Sequence, residues 1–183
     1  MIRLCAICFV SILLCSFLME TQESRFDEVV LRFDEDKVKD RLVEFANQGI
    51  ERPLSVEYEA DSLIKAAMSY LGTPHCMGGR SRSGIDCSGL VMNSFAEVNI
   101  RLPHSAHEQA RFGQLVPQSS ELEKGDIVFF FNSYATKNLI THSGIYIGDG
   151  EFVHTSSSKG VVVTKIDDPY YWGERFLFGT RIH

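Results

Sequence analysis

The order of the secondary-structure patterns is the feature that most constrains the fold of this chain. Before Asp126 apolar residues recur at helical spacing, as in ADSLIKAAMSYLG, where Leu63, Ala67 and Leu71 fall on one face of a predicted helix. After Asp126 the pattern changes to short β-rich runs, including DIVFFF, SGIYIG, EFVHT and GVVVTKI, which turn-forming residues separate. Helices followed by a meander of strands predict an α+β domain, with the N-terminal helices packed on an antiparallel β-sheet.

The beginning of the chain differs from the rest and predicts export. Arg3 supplies a positive end, no charged residue occurs from Leu4 to Met19, and polar residues follow at once. This order is typical of a signal peptide, and the run is short for a spanning helix, which needs about 20 apolar residues. We expect residues 1–20 to be a signal peptide, and the same residues also fit a membrane anchor or lipid attachment at Cys15. Each alternative places the protein in the periplasm or the cell envelope.

The remaining chain is divided into an N-terminal segment, residues 21–59, and a C-terminal domain, residues 60–183. Residues 21–33 are polar to mixed and predict a tether, and a helical pattern follows that ends near Gly49. The formal net charge of −6 argues against a nucleic-acid partner, which would require a basic surface. We expect the protein to be a monomer.

Cysteine usage directs attention to position 87. Three of the five cysteines lie in the leader, so that only Cys76 and Cys87 remain in the exported part. A disulfide between these two is allowed by their number, but they do not form a disulfide scaffold, and the ligand spacing of a zinc site is absent from the sequence.

The surroundings of Cys87 favour a nucleophile. Cys87 lies between Asp86 and Ser88, at the start of the predicted helix SGLVMNSFAEV. The free backbone N–H groups and the dipole at a helix start favour the thiolate over the thiol, and the thiolate is the reactive form. The alternative is a small buried core residue, which is the common role of a free cysteine.

Two histidines in the strand region are candidates for a base that activates the thiol. His142 opens the run HSGIYIG, and His154 lies in EFVH. If IGDG forms a tight turn between these runs, both side chains lie away from the turn and become neighbours across two antiparallel strands. One imidazole would take the proton, and the other would fix its tautomer, as in a Cys-His-His triad. Taken singly, each histidine also fits a packing or strand-end role.

Other histidine and aromatic residues have simpler interpretations. His104 and His107 flank the start of a short helix that Ser105 caps, and we expect both histidines to face water. Trp172, beside two tyrosines, is expected to pack in the protein rather than to bind substrate.

Six segments together resemble the NlpC-type cell-wall peptidases, which are papain-like cysteine enzymes of bacteria. They follow one another between about residue 60 and residue 182, as YLGTPHCMGG, GIDCSGLV, LPHSAHEQ, LEKGDIVFFF, HSGIYIGDGEFVH and RFLFGTRI. The resemblance implies a papain-like fold and a hydrolase that cuts peptidoglycan stem peptides, often between γ-D-glutamate and a diamino acid. It also implies that the enzyme uses no metal and no other cofactor.

The resemblance assigns a role to each matching residue. Cys87 matches the nucleophile, His142 the base and His154 the residue that orients the base. Asp86 and Ser88 match positions that contact substrate, and a carboxylate at position 86 suits a free amine of the stem peptide.

The chain departs from the family pattern at His75 and Met77, where a tyrosine and a tryptophan are common. The tyrosine hydroxyl is usually assigned to stabilisation of the transition state. His75 is therefore a candidate substrate-binding residue that would donate a hydrogen bond instead, with a charge that varies near neutral pH.

Two other functions fit parts of the sequence. A papain-like amidase or acyltransferase that acts on another amide or a lipid would need an apolar groove, for which Phe129, Phe130 and Phe131 are candidates. An exported wall-binding module with an inactive site would not use the cysteine as a nucleophile, and a disulfide between Cys76 and Cys87 would favour it.

Overall fold

The computed structural model describes residues 25–49 and 56–182, so the predicted leader, residues 1–20, lies outside the described residues. The helices within the described ranges are residues 25–31 (α1), Asp36–Asn47 (α2), Ala60–Met68 (α3), Cys87–Ala96 (α4) and Ala106–Gln109 (α5). The strands are Arg80–Ser81 (β1), Gly84–Ile85 (β2), Gln114–Val116 (β3), Ile127–Phe131 (β4), Ile140–Gly148 (β5), Glu151–Ser156 (β6), Gly160–Lys165 (β7) and Phe176–Arg181 (β8). None of the helices in the described ranges is long and apolar enough to span a bilayer.

An antiparallel sheet in the order β3-β8-β4-β5-β6-β7 forms one layer of the molecule. Strands β4 to β7 are a meander, and β8 returns to lie between β3 and β4. The tight connection between β5 and β6 consists of Asp149 and Gly150, as the IGDG pattern predicts. Helices before an antiparallel meander confirm the predicted α+β class.

Helix α4 packs its apolar side chains against the sheet and carries Cys87 as its first residue. Leu90, Val91 and Phe95 have no exposed surface and share one apolar cluster with Ile145 of β5. Burial of a side chain of this size contributes about 1.5–3 kcal/mol to folding. This packing fixes the first turn of α4 beside β5, where the candidate site lies.

The N-terminal segment packs on the sheet instead of forming a tether over its described part. Phe26 and Val29 of α1 are buried, and the ring of Phe26 lies 5.9 Å from that of Phe178 in β8 and 6.3 Å from that of Phe45 in α2. The prediction of a tether is wrong for residues 25–31, because charged residues surround a short apolar stripe there. The division of the chain at residue 60 stays a prediction.

Candidate active site

A cleft of about 890 Å³ opens where the first turn of α4 meets β5 and β6. Its volume suits a peptide-sized ligand. The lining includes all the residues that the sequence singled out for the site, namely His75, Asp86, Cys87, Ser88, His142 and His154. Residues distant in the sequence therefore meet in one cleft, as the Cys-His-His hypothesis requires.

Cys87 is partly exposed at the start of α4 and is a free thiol, as is Cys76. Backbone N–H groups of Ser143 and Ser88 face its sulfur. The sulfur therefore lies against β5 beside residue 143, which directly follows His142.

The pKa of the Cys87 thiol is raised to about 11, first because the surrounding protein removes water from it and also because Asp86 is negatively charged. The N–H groups of Ser143, Ser88 and Cys87 act in the opposite direction but do not outweigh burial. The N–H groups at the helix start thus favour the thiolate as predicted, but burial outweighs them, so the expected net preference for the thiolate is wrong. At pH 7 the resting thiol is neutral and needs a base.

His142 and His154 form a hydrogen-bonded pair at the back of the cleft. Nε2 of His142 lies 3.0 Å from Nδ1 of His154, and Nε2 of His154 lies 3.0 Å from Oγ1 of Thr164. A β-carbon at Gly144, opposite His154, would lie 2.7 Å from the ring of Phe152, so only glycine leaves room for this arrangement. Because Nε2 of His142 is used in the pair, Nδ1 is the nitrogen that is left to accept a proton.

Both histidines are neutral at pH 7. Burial lowers the pKa of His142 well below its ordinary value, and electrostatic repulsion by His154 and His75 in their protonated forms lowers it further. Burial lowers the pKa of His154 to about 4. Trp172 closes this environment, since its ring centroid lies 4.8 Å from that of each imidazole. Trp172 thus packs in the protein, as predicted, but it packs on the two histidines and also lines the cleft.

Asp86 is the N-cap of α4 and has several donors. Its Oδ1 accepts hydrogen bonds from the Gly89 N–H at 2.6 Å and from Ser88 Oγ at 3.0 Å, and it lies 2.8 Å from Nε2 of His104. Its Oδ2 accepts from the Gly78 N–H at 2.9 Å. The carboxylate therefore orders the start of α4, and Oδ2 keeps capacity for one more donor.

His104 does not face water as predicted. Nε of Arg80 donates to Nδ1 of His104 at 2.8 Å, so that the proton of the neutral ring lies on Nε2 and is donated to Asp86. His107 is half-buried, lines the cleft and accepts a hydrogen bond from Arg111 at 3.3 Å. No sequence pattern near either histidine predicts these hydrogen-bond partners.

Gln109 connects the two sides of the site and was missed in the sequence. Its Nε2 donates to the carbonyl oxygens of Ser88 and Pro103, each at 2.9 Å, and its Oε1 accepts from Ser143 Oγ at 3.0 Å. The side chain is fully buried. It links Ser88, the residue after Cys87, to Ser143, the residue after His142. In the sequence, Gln109 was noted only as part of the LPHSAHEQ segment.

Tyr134 is a second residue that the sequence did not indicate. It lines the cleft from the connection between β4 and β5. Burial raises its pKa, and electrostatic repulsion by Cys87 and Asp86 in their deprotonated forms raises it further.

Two alternatives from the sequence lose their structural support. Phe129 and Phe130 are fully buried within the sheet, and none of the three phenylalanines lines the cleft, so they form no apolar groove there. Cys76 and Cys87 are not joined in a disulfide. Across residues 25–49 and 56–182, no group of His, Cys, Asp and Glu side chains is arranged to hold a metal ion.

Known proteins are similar to this chain in sequence and in fold. The chain is 36% identical over 129 residues to the γ-DL-glutamyl hydrolase of Bacillus subtilis (strain 168). The matched segment covers 68% of this chain and 31% of that protein. It is 38% identical over 112 residues to the murein DD-endopeptidase MepS/murein LD-carboxypeptidase of Escherichia coli (strain K12), covering 61% of this chain and 56% of that protein. A crystal structure of an NlpC/P60 family protein from Bacillus cereus ATCC 10987 matches with a TM-score of 0.61 and 30% identity, covering 69% of this chain and 41% of that chain.

These similarities agree with the site geometry. The chain spans 31% and 56% of the length of these two curated relatives. The sequence pattern of the NlpC/P60 family matches residues 72–181, which is more than half of the chain and contains Cys87, His142 and His154. The chain belongs to the NlpC/P60 family.

Proposed function

We propose that this protein is a cysteine endopeptidase that hydrolyses peptidoglycan stem peptides at the bond between γ-D-glutamate and the diamino acid. The observation that carries the proposal is the placement of Cys87, at the start of α4, in one cleft with the His142–His154 pair. The name of the Bacillus subtilis relative, a γ-DL-glutamyl hydrolase, supports the choice of bond.

The reaction begins with a neutral thiol and a neutral imidazole. Sγ of Cys87 attacks the carbonyl carbon while its proton passes to Nδ1 of His142. The Nε2–H of His142 donates to Nδ1 of His154, which stabilises the imidazolium that forms. Backbone N–H groups at the start of α4 are the available donors for the developing oxyanion.

The second half of the reaction restores the enzyme. The tetrahedral intermediate collapses, the carbon–nitrogen bond breaks, and His142 gives its proton to the leaving amine. The acyl group then remains on Cys87 as a thioester. Water attacks the thioester with His142 as base, and the carboxylic acid product and the free thiol are released.

The other candidate residues bind the peptide. Oδ2 of Asp86, with its remaining acceptor capacity, receives a free amine of the stem peptide, and Ser88 supports that carboxylate through its hydrogen bond to Oδ1. His75 donates to the substrate from the rim of the cleft, and its nearness to His142 is reflected in the pKa of that residue. The protein acts as a monomer.

The place of action is the cell envelope. Residues 1–20 serve as a signal peptide, with lipid attachment at Cys15 or an uncleaved anchor as the alternative forms of export. A peptidoglycan substrate requires export, and the uncharged run from Leu4 to Met19 supports it.

The proposal is tested with defined muropeptides and mass spectrometry of the products. We expect L-alanyl-γ-D-glutamate to be released from monomeric stem peptides with a free N-terminal alanine, and no release by His142→Ala. A second bond is favoured by the similarity to the Escherichia coli murein DD-endopeptidase. If the enzyme cleaves only D-alanyl–diaminopimelate cross-links, the proposed cleavage site changes from the γ-D-glutamyl bond to the cross-link. If it cleaves only lipid amides, both proposed cleavage sites are rejected.

A further inference from the structure

The turn between β6 and β7 forms a fixed wall of the cleft. Within the turn the backbone N–H of Ser158 donates to Oγ of Ser156 at 3.4 Å. At its end the backbone N–H of Val161 donates to the carbonyl oxygen of Thr73 at 2.9 Å. A β-carbon at Gly160 would lie 2.3 Å from that same oxygen, so the two backbones touch. The turn is therefore held against the segment that leads to His75.

Lys159 lies on this fixed turn and lines the cleft together with Cys87. It is the one lysine or arginine that does so in the described part of the chain, and it has no ion-pair partner among residues 25–49 and 56–182. The acidic side chains that line the cleft are engaged elsewhere, because Asp86 caps α4 and Asp168 accepts from the backbone N–H of Trp172 at 3.4 Å.

A second lysine on the same hairpin, Lys165, does form an intramolecular ion pair. Nζ of Lys165, at the end of β7, lies 3.3 Å from Oε1 of Glu151 and donates to the carbonyl oxygen of Asp149 at 2.8 Å. Lys165 does not line the cleft. The hairpin thus has one lysine with intramolecular partners and one whose ammonium group is directed to no protein anion among the described residues.

The proposed substrate supplies a matching anion. In a γ-glutamyl peptide the side-chain carboxyl forms the peptide bond, so the α-carboxyl group stays outside the chain. It is attached to the α-carbon, which two methylene groups separate from the scissile carbonyl. This group is either a free carboxylate or a carboxamide. Since the protein has a formal net charge of −6, a free carboxylate enters the cleft against the overall charge unless a local cation attracts it.

We propose that Lys159 is a carboxylate subsite, which binds the free α-carboxylate of the γ-linked glutamate and selects it over the amidated form. The inference rests on the proposed function. An exposed ion pair of this kind changes binding by up to about fivefold, and salt weakens it.

The experiment compares two tripeptides that differ in one group, L-alanyl-γ-D-glutamyl-diaminopimelate and its D-isoglutamine analogue. We measure kcat/KM for the wild type, Lys159→Ala, Lys159→Glu and the matched control Lys165→Ala. We expect the wild type and Lys165→Ala to prefer the carboxylate about fivefold at low salt. Lys159→Ala should lose the preference, and Lys159→Glu should favour the amide.

An unchanged preference in Lys159→Ala would overturn the subsite while leaving the peptidase intact. If the wild type cleaves neither peptide, the proposed function fails, and calorimetric binding of the same two peptides to the same proteins then tests the subsite alone. In that case, equal dissociation constants of the wild type for the two peptides overturn the subsite. Tighter binding of the carboxylate peptide by the wild type, lost in Lys159→Ala, supports it.

Discussion

Nε2 of His142 lies 3.0 Å from Nδ1 of His154, which directs the other nitrogen of His142 away from the pair. The arrangement continues to Thr164, whose Oγ1 lies 3.0 Å from Nε2 of His154. If His154 accepts through Nδ1 and donates through Nε2, His142 carries its proton on Nε2, and Nδ1 is a free base. One hydrogen bond thus determines which nitrogen is able to take the proton of Cys87.

We expect His154→Gln to lower kcat about 100-fold with little change in KM. The glutamine amide has both a donor and an acceptor, so it also stabilises the tautomer of His142 that carries its proton on Nδ1 and cannot act as the base. Steady-state kinetics on a stem peptide measure this. The matched variant Thr164→Val removes the next hydrogen bond and should lower kcat less. An unchanged kcat in His154→Ala would contradict the orienting role of His154.

Alkylation of Cys87 should follow a raised thiol pKa. Burial brings that pKa to about 11, so only a small thiolate fraction is present at pH 6. We expect the rate of iodoacetamide reaction in the Cys76→Ala variant to rise continuously with pH from 6 to 9. A rate that is already at its plateau below pH 6.5 would show a preformed thiolate–imidazolium pair instead.

The free energy of unfolding should fall as the pH is lowered from 6.5 to 4. Well above its unfolded-state pKa of 6.5, His154 is neutral in both states and contributes no pH dependence. Below it the unfolded chain binds a proton that the folded protein, with a pKa of about 4 at His154, does not bind. Acid therefore favours unfolding, by about 3 kcal/mol for this residue at pH 4.

Urea unfolding at several pH values measures this effect. His154→Gln should show a smaller loss of stability between pH 6.5 and pH 4 than the wild type. An equal loss in both proteins would assign the acid sensitivity to other groups.

The sequence predicted the parts of the fold that depend on local patterns. The strand meander, the turn at Asp149 and Gly150, the helix that begins at Cys87 and the cap at Ser105 are all present. Leu71 is an exception, because α3 ends at Met68 and leaves Leu71 about half exposed. The periodic pattern continued past the point where the helix stops.

The candidate site was predicted less completely, because its details depend on contacts between distant segments. Cys87, His142 and His154 stood out by residue type, and all three line the same cleft. The hydrogen-bond partners of Gln109 and His104 lie on other elements, and no local sequence pattern predicts them. The sign of the thiol pKa shift likewise depended on burial by residues that the helix pattern does not include.

Gln109 should matter for the alignment of the site. Gln109→Ala leaves the carbonyl oxygen of Ser88 and the hydroxyl of Ser143 without their buried partner, which costs about 1–3 kcal/mol of stability. We expect kcat to fall about 10-fold or more, because the first turn of α4 shifts relative to β5. Thermal unfolding and steady-state kinetics measure the two effects.

Gln109→Glu is the matched variant, since it keeps an acceptor for Ser143 and removes the donor to Ser88. Its kcat should lie between those of the wild type and Gln109→Ala. Lower stability with an unchanged kcat in both variants would limit Gln109 to a structural role.

The most direct measurement compares Cys87→Ala with Cys76→Ala on a defined stem peptide, with product release followed by mass spectrometry and folding by circular dichroism. We expect both variants to be folded, Cys76→Ala to cleave at the wild-type rate, and Cys87→Ala to release no product. Cleavage by folded Cys87→Ala at a rate close to that of the wild type would contradict the role of Cys87 as the nucleophile.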